Sequence, residues 1–124
     1  MLTPRDRQRL TGVHPDLVRV VDRARTYADF IVTEGMRTEA RQRELFNQGA
    51  STTMRSRHLT GHAVDLAAMV GKEVRWDWPL YDKLGAAMKR AAAEEQVAIT
   101  WGGDWPRFRD GPHFELEWKR YPAG

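Results

Sequence analysis

Ser56-Arg57-His58-Leu59-Thr60-Gly61-His62-Ala63-Val64-Asp65, running on into Leu66-Ala67, is the stretch that decides how this chain is built. Ala63 to Ala67 reads as a buried strand carrying one carboxylate. A buried charge must be paired or bound to a metal, because taking it out of water is otherwise too costly. Asp65 is therefore the residue hardest to treat as scaffold. Just upstream, Gly61 offers a turn that can fold His58 back toward the strand. A distant complement, Asp110-Gly111-Pro112-His113-Phe114-Glu115, leads into a last short strand near His113 to Leu116. If the two strands are neighbours, His58, Asp65 and His113 meet at one point. Two imidazoles and a carboxylate are the donors of a catalytic zinc site with an open fourth position, where the pKa of water falls toward ~7.

His58 and His62 stand at i and i+4, the spacing of the HExxH zinc helix, but the comparison fails. That motif needs a helix and a Glu beside the first histidine; here Leu59 is the neighbour and Thr60-Gly61 argues against a helix. Hydrolysis also needs a base to take the proton of water and hand it to the leaving group. Asp110 could reach across the Gly111-Pro112 turn to serve. Glu115 is a fallback, two residues from His113 in a strand and pointing with it. Arg37 is the candidate for polarising a scissile carbonyl and holding the developing oxyanion. Each has a plainer reading: a hydrogen-bonded structural histidine, an ordinary Asp-Gly-Pro turn, an arginine paired with Glu34. Spacing alone leaves the two readings about evenly balanced.

Around these segments the pattern is mixed helix and strand. Thr3-Pro4 caps a short first turn. From Pro15 a helix places Leu17, Val20, Val21, Ala24, Tyr27 and Ala28 on one face. Phe30-Ile31-Val32-Thr33 is a strand, left through Gly35. Thr38 is the N-cap of a second helix running to about Gln48, with Gly49 as its stop, and Gly49 to Arg55 is a polar loop. Gly71-Lys72 turns into a strand at Glu73 to Trp76. A third helix follows Pro79, with Leu80, Leu84, Ala87, Met88 and Ala91 inward. Val97 to Trp101 is a strand and Gly102-Gly103-Asp104 a turn. The expected fold class is α+β: a small, mostly antiparallel sheet carrying a zinc site, packed with about three helices. The five tryptophans read mainly as core or rim packing, with Trp101 or Trp105 a weaker candidate for lining a groove.

The length of 124 residues suits one domain, residues 1–124. With 41% hydrophobic and 30% charged residues, the chain is globular rather than disordered. It has no cysteine, which excludes disulfides and thiolate sites, so any metal must sit on His, Asp or Glu. The net charge of +3 and pI of about 9.6 assist approach to a polyanion such as nucleic acid, acidic lipid or cell wall, and equally describe a solvated surface. The first residues lack the apolar h-region of a secretory signal, and no run nears the roughly 18 apolar residues of a membrane span.

Ser56-x-His58-x-x-Gly61-x-Ala63-x-Asp65 resembles the SxHxxGxAxD signature of the LAS metallopeptidases, the D-alanyl-D-alanine carboxypeptidases and dipeptidases together with the phage L-alanyl-D-glutamate endolysins. Asp110-Gly111-Pro112-His113 matches the family's second motif, a carboxylate, two residues, then histidine. Glu34-Gly35-Met36-Arg37-Thr38 resembles the segment supplying a substrate-facing arginine. Trp101-Gly102-Gly103-Asp104-Trp105, running into Pro112-His113-Phe114-Glu115, is most similar to the endolysin branch. The likeness spans roughly residues 15 to 118, with the motifs in family order. It implies His58, Asp65 and His113 as Zn2+ ligands, Asp110 as general base where many members carry Glu, Arg37 as transition-state stabiliser and substrate contact, and Ser56 as a support of the site or a substrate contact.

The expectation is thus a zinc endopeptidase cutting the L-alanyl-D-glutamate bond of peptidoglycan stem peptides. It would be a monomer made in a host cytoplasm without a signal peptide, reaching the wall after release and causing lysis, with neither nucleic-acid binding nor membrane insertion. The rivals are a D-alanyl-D-alanine carboxypeptidase or dipeptidase with the same chemistry, and a non-catalytic wall-binding or nucleic-acid-binding domain with a structural metal.

Overall fold

The structure, a computed structural model, describes residues 2–49 and 56–122; most of the loop expected from Gly49 to Arg55 lies outside them. The first turn is a full helix, α1 (Pro4–Arg9). Thr3 accepts the backbone N–H of Asp6, and the Asp6 carboxylate accepts that of Thr3, a reciprocal capping box with proline in the first turn. The described residues therefore form four α-helices rather than about three. The extra one has a task. The edge strand β1 (Phe30–Glu34) would leave the N–H and C=O of Val32 bare, and α1 closes both. Asp6 accepts the N–H at 2.9 Å and Arg9 donates to the carbonyl at 2.9 Å.

Helix α2 (Pro15–Ala24) buries Leu17, Val20, Val21 and Ala24 completely, each large aliphatic contributing roughly 1.5–3 kcal/mol. It stops before Tyr27, which the periodicity had put on the core face. Tyr27 instead lies half out, under the Arg90 guanidinium and bonded to Glu94. Helix α3 (Glu39–Asn47) starts at the expected Thr38 cap. The long helix α4 (Trp78–Glu95) buries Tyr81, Leu84, Ala87, Met88, Ala91 and Ala92, while Leu80 is only partly covered.

The remaining strands are β2 (Ala63–Val70), β3 (Glu73–Val74), β4 (Ile99–Trp101) and β5 (His113–Leu116). The order is β1-β2-β5-β4, with β3 hairpinned onto β2, and every pairing is antiparallel. Strand β3 is shorter than expected because the carbonyl of Arg75 turns to the Tyr81 hydroxyl and Trp76 stacks on that ring. Alternation divides the sheet. Phe30, Val32, Val64, Leu66, Ala68, Trp101, Phe114 and Leu116 belong to the core, so Ala63, Asp65, Thr100, His113 and Glu115 share the opposite face. No helix among the described residues is long and apolar enough to cross a membrane.

Candidate metal centre

The opposite face of the sheet is where the chemistry-bearing side chains gather. Asp65 and His113 are directly paired across β2 and β5, so the antiparallel register brings them together with no help from loops. His58 arrives differently. It sits on a 3-10 turn, Arg57–Thr60, where a loop was expected, and the turn is capped by the Ser56 hydroxyl accepting the His58 N–H at 3.2 Å. Gly61 ends the turn at φ +75°, and a Cβ there would strike the carbonyl of Gly12, so only glycine lets the turn dock and β2 begin. A bulge in β1 between Val32 and Glu34 releases Glu34-Gly35-Met36-Arg37 toward the same turn, where the Arg37 N–H donates to the His58 carbonyl at 2.7 Å.

The donor atoms of His58, Asp65 and His113 lie within 4.8 Å of one another. The hydrogen bonds around them fix what those atoms present. His58 Nδ1 is 2.8 Å from the carbonyl oxygen of Gly35. A carbonyl can only accept, so the proton of a neutral ring sits on Nδ1 and Nε2 keeps its lone pair. That buried Nε2 has no hydrogen-bond partner and stands 3.3 Å from Asp65 Oδ1. The same oxygen is 3.1 Å from His113 Nδ1. An orphaned imidazole nitrogen facing a carboxylate is unfavourable without a proton or cation between them. The donor set of two nitrogens and a carboxylate oxygen, without thiolate, is one a divalent metal of zinc's type accepts. The site fits a metal ion.

The charged neighbours of the cluster shift its proton affinities in opposite directions. Burial opposes charge on His113, but its hydrogen bonds to Asp65 and Glu115 outweigh that and raise its pKa to about 9. For Asp65 burial pushes upward, and the bonds and positive charge of His113 and His58 overcome it, holding the carboxyl well below the usual range. Asp110 moves the other way: burial raises its pKa and the charge of Asp65 adds to the rise, against smaller pulls from His113, His58 and Arg37. Its position follows from Gly102, whose carbonyl accepts the Asp110 N–H at 3.0 Å and where a Cβ would collide with the Asp110 carbonyl.

The other expected residues fall into place with qualifications. Arg37 is partly buried and makes the bond to Glu34 that the plainer reading offered, through Nε and Nη2, while Nη1 donates to the buried Gln42. These contacts use three of its five N–H groups and still leave it within electrostatic reach of Asp110. Ser56 caps the turn and also lines a cavity of about 340 Å³ with Arg57, Thr100, Trp105 and Glu115. Trp105 sets its ring 5.1 Å from that of His113, whereas Trp101 is core, its indole donating to the Gly111 carbonyl. His62 turns away, bonded to Thr60 and packed near His14. The Gly35 carbonyl and Gln42 went unnoticed in the sequence; a backbone acceptor has no residue-type signature.

A small antiparallel sheet with two histidines and an aspartate converging on one face, a half-buried second aspartate beside them and an arginine in range forms a candidate metal centre. The family model for phage L-alanyl-D-glutamate peptidases matches residues 1–119, and the chain belongs to that family. It is 39% identical over 93 residues to the L-alanyl-D-glutamate peptidase of Listeria phage A118; that match covers 75% of this chain but only 32% of the relative, so the chain spans about a third of that protein. It is 32% identical to the peptidoglycan L-alanyl-D-glutamate endopeptidase CwlK of Bacillus subtilis, covering 86% of this chain and 74% of the relative. The crystal structure of the L-Ala D-Glu endopeptidase ChiX of Serratia marcescens superposes with a TM-score of 0.93 at 50% identity, covering 98% of this chain and 93% of that one.

Proposed function

We propose that this chain is a zinc-dependent endopeptidase that hydrolyses the L-alanyl-D-glutamate bond of peptidoglycan stem peptides, an endolysin-type activity carried by residues 1–124 as one catalytic domain. His58, Asp65 and His113 hold the metal, Asp110 is the base and Arg37 the oxyanion partner. The observation that carries the chemistry is the convergence of three possible ligand atoms within 4.8 Å of one another, one of them the orphaned Nε2 of His58. The bond is inferred from the relatives, whose names specify L-alanyl-D-glutamate.

Bound zinc would act as a Lewis acid, lowering the pKa of a water and polarising the scissile carbonyl. The chain's own groups do the rest. Asp110, with its raised proton affinity, takes the proton as water adds to the carbonyl carbon and delivers it to the nitrogen as the C–N bond breaks. The N–H groups of Arg37 not committed to Glu34 and Gln42 stabilise the carbonyl oxygen as it gains charge. Ser56 holds the His58 turn and lies beside the cavity that would take part of the peptide.

The test is mass spectrometry of purified peptidoglycan after incubation with the protein, with and without a chelator. New N-terminal D-glutamate, lost on chelation and restored by zinc, is the expected product. Loss of terminal D-alanine would keep the chemistry and move the function to the carboxypeptidase branch. An unchanged digest from zinc-loaded protein would refute catalysis on this substrate.

A further inference from the structure

The two histidines of the cluster are each held by one acceptor on the ring nitrogen that faces away from Asp65. For His58 that acceptor is the Gly35 carbonyl, at 2.8 Å from Nδ1. For His113 it is Glu115, whose Oε1 lies 2.7 Å from Nε2. The His113 ring thus stands between two carboxylates, and a neutral ring has one proton to give. Glu115 is the nearer, and Asp65 the one that shares the point where the three donor atoms meet. We propose that Glu115 is the positioning residue of the metal centre: it accepts the Nε2 proton of His113, fixes that tautomer and keeps Nδ1 bare toward the metal. The proposal rests on the metal-centre reading above and adds to it a residue and a role.

The surroundings of Glu115 suit this task. Strand β5 puts Glu115 two residues beyond His113, on the same face, so no loop movement can separate the pair. Its cross-strand neighbours are Ala63 and Thr100; the small alanine leaves the carboxylate room to lie back along its own strand. Arg57, buried and lining the same cavity, supplies positive charge nearby. Trp105 packs near the His113 ring and limits its rotation. The same geometry argues against Glu115 as the proton carrier. It bonds the far nitrogen of the imidazole, so the ring itself separates it from the metal point, while Asp110 senses Asp65, His58 and His113 together. Outer-shell carboxylates of this kind typically change metal affinity by about 10–100-fold.

The experiment compares wild type with Glu115→Ala, Glu115→Gln and His58→Ala by zinc competition against a chromophoric chelator, and reads the His113 tautomer in zinc-loaded, 15N-labelled protein by two-bond N–H correlation. Wild type should show the proton on Nε2. Glu115→Ala should bind zinc about 10–100-fold more weakly, and Glu115→Gln, whose amide oxygen can accept the same proton, should recover most of that loss. A proton on Nδ1 in wild type would overturn the proposal, and does not depend on any variant folding. So would unchanged zinc affinity in Glu115→Ala while His58→Ala loses zinc; the metal centre would then stand and only the role of Glu115 would fall. Full zinc affinity in Glu115→Gln with no peptidoglycan cleavage would make Glu115 the proton carrier instead. Equal, negligible binding in wild type and His58→Ala would remove the metal centre and this proposal with it.

Discussion

Asp65 and Asp110 are two carboxylates at one site whose surroundings drive their proton affinities apart. Asp65 is held ionised by two imidazoles; Asp110, partly desolvated and facing the charge of Asp65, is pushed up. Such a split is how one site obtains both a fixed anion and a proton acceptor. Asp110→Asn should therefore retain zinc within a few-fold and lose turnover by about 10²–10⁴; turnover near wild type would place the base elsewhere. His113→Ala should lose both, since it removes a proposed ligand. Much of this spatial arrangement, though not the roles, was legible in the sequence, for definite reasons. Asp65 stood out because an acid inside Ala63-Val64-x-Leu66-Ala67 has no cheap alternative to a partner, and Glu115 because strand alternation aligns it with His113. The Arg37 contacts were half legible: Glu34 lies three residues away, but Gln42 is brought in by the packing of α3, which no local spacing announces.

At the scale of elements, the sequence was clearest where a helix stripe meets a cap. The α2 stripe and the Thr38 cap of α3 lie where the pattern put them, whereas Tyr27 and the length of β3 were misjudged because tertiary partners, Arg90 and Glu94 for one and Tyr81 for the other, outcompeted local pattern. The six-residue α1 could not have been read as essential, since its value lies in a contact with β1 some distance along the chain. Asp6→Ala would leave the Val32 N–H unsatisfied in a buried place and dismantle the capping box. The expected cost is about 2–4 kcal/mol, a fall in Tm of roughly 8–20 °C for a domain of this size, with peptidase activity retained below the new transition. Calorimetry checks it, and a loss under roughly 1 kcal/mol would mean that water or another group replaces the carboxylate. Gly61→Ala tests the docking of the 3-10 turn. The left-handed backbone and the Gly12 carbonyl both oppose a methyl group, so zinc affinity should fall together with stability.

For the molecule as a whole, the proposed metal centre would link metal, protons and stability through His113. Its folded pKa, about 9, lies above the ordinary 6.5. In the metal-free protein, charged His113 thus contributes stability that is fully present below pH 6.5 and is lost as pH rises through about 9. Zinc needs the bare nitrogen, so binding near neutral pH must displace about one proton, and apparent affinity should rise roughly tenfold per pH unit between 6 and 8. Asp65, already ionised throughout that window, adds no slope. Tenfold in affinity is about 1.4 kcal/mol of added holo stability, so the Tm gap between zinc-loaded and chelated protein should widen by roughly 4–8 °C per pH unit. Paired melting curves at pH 6, 7 and 8, with titration calorimetry in two buffers of different ionisation enthalpy to count the proton, measure this directly. A gap independent of pH, or no proton released, would mean that His113 is neutral before zinc arrives.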